Sequence, residues 1–173
     1  MPVIMAIAFI ALAVSTWKKA HSEDVFSSME DAARAALIVD ARCSQNKWEC
    51  GGVIYQDDVS QLYSFSAPTS DHAPFGVTVL ELWTIRPPFG KTLVADRHIH
   101  ICDPRNHRFA QYFSPADGYV NEGFHIYGYM ADLCTRRIHR FDPLESPRDV
   151  EVVHFTSGRE LELPIGHITG FLP

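Results

Sequence analysis

Runs of basic residues are missing from this chain: Lys and Arg never extend beyond a pair, and the formal net charge is -6. Binding along a nucleic-acid backbone needs a concentrated basic face, so nucleic acid is excluded as the main partner. Internal repeats and low-complexity tracts are also absent, which removes solenoid, propeller and disordered classes. Cysteine is scarce: Cys43, Cys50, Cys102 and Cys134 are too few in 173 residues to be read as the disulfide scaffold of a small secreted domain. On this reading Cys50 is a small buried apolar side chain, not a nucleophile. The redox compartment stays open. What is present is a length and an apolar content of 46% that suit one domain with a real core.

Long apolar runs are lacking after residue 17, but the first segment is one. MPVIMAIAFIALAVSTW carries no charged side chain and is followed at once by Lys18 and Lys19. It is short for a spanning helix and longer than many signal-peptide cores, and AVS resembles a small-residue cleavage site. Residues 1–22 are therefore read as a signal, an anchor or a packing helix. Residues 3–17 are the candidate membrane contact, and export or anchoring is expected over a purely cytoplasmic life.

Residues 23–173 read as a single domain. SSMEDAARAALIVDARC has high helix propensity, an apolar face through Ala33, Ala36 and Leu37, and a capping box from Ser27 with Glu30 or Ser28 with Asp31. WECGGVIYQ, two runs between Gln61 and Arg86, KTLVADRHIHI, IYGYMAD and RRIHRFD read as strands. SPADGYVNEGF has the form of a helix start, with Ser114 as cap and Pro115 at the first helical position. The tail from Asp149 reads as a hairpin around Ser157 and Gly158 plus an irregular end. The expected class is α+β: a curved mixed or antiparallel sheet with packed helices.

Chemistry concentrates in VADRHIHICD. Side chains two apart on a strand share a face about 6.5 to 7 Å apart at the backbone, so His98 and His100 can converge on one ion. Asp96 and Cys102 share their parity, but the whole set spans too much strand to bind one metal together. By itself the pair is a weak signal.

Two further pieces bring the pair into a pattern. Glu49-Cys50-Gly51-Gly52-Val53 upstream and Ser114-Pro115-Ala116-Asp117 downstream, with His98-Ile99-His100 between, resemble the JAMM motif of the MPN/JAB metallopeptidase superfamily. The layout from about Met29 to Pro143 resembles it too, and looks closest to the JAB-like domains attached to bacterial Rhs and polymorphic toxins. Ile101 stands where many members carry Pro, and residues 101–113 make a longer loop than usual, with Asp103 and His107 in it as candidate substrate contacts. Residues 144–173 lie beyond the resemblance, as a C-terminal extension.

The resemblance implies a cytidine-deaminase-like MPN/JAB architecture and a zinc-dependent peptidase or isopeptidase with one Zn2+ per chain. It implies His98, His100 and Asp117 as metal ligands, Glu49 as the acid/base and Ser114 as the donor opposite the metal. That set matches physical need: three protein ligands leave a fourth position for water, a non-ligand carboxylate takes its proton, and a hydroxyl stabilises the oxyanion. The implied partners are a peptide or protein substrate and a secretion-system or toxin partner, for a bacterial effector. The competing expectation is a non-catalytic MPN-fold binding module in a larger assembly.

Overall fold

The computed structural model describes residues 24–70, 86–103, 110–145, 150–154, 160–164 and 166–173. The apolar segment 1–22, the second of the two strands expected before Arg86 and His107 lie outside them. No helix among the described residues is long and apolar enough to cross a membrane.

Helix α1, Met29–Ser44, begins at Ser28, whose backbone is extended and whose side-chain oxygen accepts from Asp31 N. Of the two caps that the sequence allows, Ser28 is the one used: its hydroxyl donates to Asp31 Oδ2 at 2.8 Å while accepting from Asp31 N at 3.1 Å, a side-chain variant of the expected capping box. Glu30 and Asp31 in its first turn and Arg42 in its last complement the helix dipole. Its buried stripe runs Ala32, Ala36, Asp40, Ser44 with Ala33 and Leu37 beside it, a spacing of four that lets the backbone sit close to a sheet.

Strands β1 (Gly51–Asp57), β2 (Tyr63–Phe65) and β3 (Lys91–His100) follow, then helix α2 (Pro115–Phe124). Strands β4 (Tyr127–Asp132) and β5 (Arg137–Phe141), the hairpin β6 (Val150–His154) and β7 (Glu160–Pro164), and β8 (His167–Phe171) complete the order. The main sheet is six-stranded, β2-β1-β3-β4-β5-β8, while β6 and β7 pair separately. Every neighbouring pair in it is antiparallel except β3 with β4, which α2 joins as a crossover. Among the described residues this is a mixed sheet with two helices, in keeping with the expected α+β class. The tail differs from its expected irregular end: β8 adds to the sheet edge, where His139 and Arg140 pair with Ile168 and His167.

Strand β3 sorts its side chains by parity. Ala95 and Ile99 join the core with Ala32, Ala36 and Leu37 of α1, and Arg97 rises from the same face. Its guanidinium donates to both Asp40 oxygens, at 2.9 and 2.8 Å, and to Ser66 O at 2.6 Å, with neither charged side chain exposed. Gly52, its partner across β1, leaves room for it: a Cβ there would stand 2.7 Å from Nη1. Burial raises the Asp40 carboxyl to about 6 even against the nearby Arg97 charge. Breaking this pair leaves an uncompensated buried charge, so Asp40→Ala is expected to cost about 3 to 5 kcal/mol in chemical denaturation. A loss under about 1 kcal/mol would mean that the pair adds nothing to the fold.

All four cysteines are paired, a matter the sequence leaves open, and Cys50, read as a small buried side chain, is buried as one half of a bridge. Cys43 is bonded to Cys50 and Cys102 to Cys134. Spatial placement brings these partners together across sequence separations of 7 and 32 that carry no spacing signature. Asn46, in the loop that Cys43–Cys50 closes, accepts from Cys102 N at 2.7 Å through Oδ1.

Candidate metal centre

The other face of β3 carries Asp96, His98 and His100 toward α2. A parallel crossover places the start of its helix over the C-terminal end of the strand it leaves. That puts Ser114 and Asp117 over the two histidines. The ligand atoms of His98, His100 and Asp117 all lie within 4.8 Å of one another. His98 Nε2 is 3.0 Å from His100 Nε2 and 3.7 Å from Asp117 Oδ2. A tetrahedral ion with bonds of about 2.0 Å separates its ligand atoms by about 3.3 Å, so these spacings bracket what a zinc-sized cation requires.

Each donor is aimed by a partner. His100 Nδ1 lies 3.0 Å from Ala110 O, and because a carbonyl only accepts, Nδ1 carries the proton and Nε2 keeps its lone pair. Asp117 is held by a reciprocal capping box: Ser114 N donates to Asp117 Oδ2 at 2.7 Å, and Asp117 N donates to Ser114 Oγ at 3.2 Å. The helix cap at SPAD is present, and it leaves Asp117 facing the histidines. Ser114 Oγ accepts in that box, which leaves its own proton to be donated.

The long loop between His100 and Ser114 does not keep Asp117 away. Its last residues, Ala110, Tyr112 and Phe113, are buried, and Phe113 N donates to Pro164 O of β7 at 3.1 Å. The Phe113 ring meets His98 edge-on, 6.3 Å between centroids at 82°, and packs with Met130 and Phe141 beneath the site. Asp103, at the near end of the loop, donates its amide to Ile101 O.

Glu49 precedes β1 and is buried. Gly51 stands opposite His98, and Ile99 N donates to Cys50 O at 3.0 Å; the same register carried one step further sets Glu49 across from His100. It stands beside the three-residue group, on the histidine face. The Cys43–Cys50 bond and a 2.6 Å hydrogen bond from Ser70 Oγ to Glu49 O fix its backbone.

Burial and the neighbouring charges shift the proton affinity of each of these groups. Burial opposes a charge on His98, but the carboxylates of Asp117, Glu49, Asp96 and Asp40 outweigh it and lift the pKa above the ordinary imidazole value. Burial and the neighbouring His98 push His100 down to about 4. Burial works to raise Asp117 as well, yet the two imidazoles and the Ser114 hydrogen bonds hold it below the usual carboxylate range. Asp96 is pushed up to about 6 by burial, against His98 and an Asn121 hydrogen bond.

All five residues singled out in the sequence thus gather at one end of the sheet, three of them close enough to share an ion. Asn121 was missed, although its place four residues after Asp117 on the same helical face was a readable signal. Among the described histidines outside the group, His167 pairs with Glu145 at 2.7 Å. No family model, no curated protein and no solved structure matches this chain.

Proposed function

We propose that this protein is a zinc-dependent metallopeptidase or isopeptidase of the JAMM type, on an MPN/JAB architecture, that hydrolyses an amide bond in a peptide or protein. The observation that carries the reading is the convergence of His98, His100 and Asp117, with Glu49 buried beside them. Zinc bound there supplies a Lewis acid and brings the pKa of a bound water to about 7. His100 Nε2 is pre-aimed by the Ala110 carbonyl, and Asp117 by its capping box, so little ordering is left to binding.

Glu49 takes the proton of the attacking water and hands it to the leaving amine. Ser114 donates its hydroxyl to the carbonyl oxygen as that oxygen gains charge. Retention of all five side chains supports catalysis over a non-catalytic binding module. Two disulfides suit an oxidising compartment, which agrees with an exported or anchored effector.

The test is hydrolysis of a peptide library and of isopeptide-linked substrates by the purified protein. Cleavage is expected to disappear with 1,10-phenanthroline and return with added zinc. Cleavage that persists in the fully chelated protein overturns the reading.

A further inference from the structure

Asp96 has the parity of a metal ligand, but the structure gives it another partner. Asn121 Nδ2 donates to Asp96 Oδ1 at 2.7 Å and to Tyr127 O at 3.3 Å, and both Asn121 and Asp96 are buried. Two acceptors facing one amide nitrogen fix which way the carboxamide points. Its Oδ1 is then left buried without a hydrogen-bond partner, a cost that fold stability alone does not favour.

The arrangement is a ladder between α2 and β3. Asp117 and Asn121 are four apart on one helical face, and His98 and Asp96 are two apart on one strand face. The lower rung is the Asn121–Asp96 bond; the upper rung is Asp117 at 3.7 Å from His98. Gly128, opposite Asp96 on β4, makes the lower rung possible, because a Cβ there would stand 2.6 Å from Asn121 Oδ1.

We propose that Asp96, Asn121 and Gly128 form a positioning lock that sets the height of α2 on the sheet and thereby holds Asp117 at ligand distance from His98 and His100. The lock touches neither the ion nor the substrate. It acts through Asp117, and it rests on the metal-centre reading above.

The test is zinc affinity, measured by competition with a chromophoric chelator, together with the visible spectrum of the cobalt-substituted protein. Asn121→Asp sets two carboxylates against each other, and the affinity is expected to fall about 10- to 100-fold, as for other residues that orient metal ligands. Adding Asp96→Asn restores one donor and one acceptor with their roles exchanged. The double variant is expected to recover most of the affinity and the tetrahedral cobalt spectrum.

Gly128→Ala is the gentler variant, since its methyl meets only the end of the Asn121 side chain, and it is expected to weaken zinc binding with little change in unfolding midpoint. Wild-type protein that binds zinc while Asn121→Asp or Gly128→Ala binds it equally well overturns the lock alone. Wild-type protein that binds no zinc overturns the metal centre on which the lock depends.

Discussion

Replacing Glu49 with alanine is expected to leave zinc content unchanged and to slow amide hydrolysis by about 10²- to 10⁴-fold, the usual contribution of a positioned acid/base. Three other side chains form the ion-sized group, and Glu49 adds a buried carboxylate to its edge without joining it. In the proposed mechanism its removal deprives the attacking water of a proton acceptor and the leaving amine of a donor, while the three proposed ligands stay in place. Elemental analysis and a single-turnover rate on the same preparation separate the two effects. Full activity in Glu49→Ala removes Glu49 from the mechanism, and loss of metal reassigns it as a ligand.

The second large effect is expected on reduction. The bonds Cys43–Cys50 and Cys102–Cys134 close loops with sequence separations of 7 and 32. By chain entropy they are worth about 2 and about 4 kcal/mol. Their sum is comparable with the whole stability of an ordinary domain, about 5 to 15 kcal/mol.

The loss should also be felt at the proposed metal centre, since Cys50 adjoins Glu49, Cys102 lies just beyond His100, and Asn46 hydrogen-bonds the Cys102 backbone. Urea unfolding with and without a phosphine reductant is expected to show a clear drop in midpoint. Coincident curves, with the thiols shown to be free, would contradict this account of the bridges.

The site was more legible in the sequence than its supports. His98 and His100 share a strand face by simple alternation, and Ser114 with Asp117 is a capping pattern that needs only local geometry. Resemblance to a known motif joined these to Glu49 across the chain, and the fold brings them to one end of the sheet.

The supports rest on tertiary pairings that no local pattern encodes. Asp40 looks like an exposed helix charge until Arg97 is found beneath it, and Arg97 looks like an edge residue until Gly52 opens a place for it. Cys43 and Cys50 carry no spacing signature, and β8 gains its strand form from β5, not from its own alternation. Asp96 shares the parity of the two histidines, but its bond to Asn121 depends on how α2 returns to the sheet.

The most direct measurement is zinc content by elemental analysis of the folded, disulfide-bonded protein after equilibration with zinc and removal of the excess. The account predicts one zinc per chain in the wild type and none in His98→Ala, with circular dichroism unchanged. Folded wild-type protein without zinc, or equal zinc in the His98→Ala variant, would contradict it.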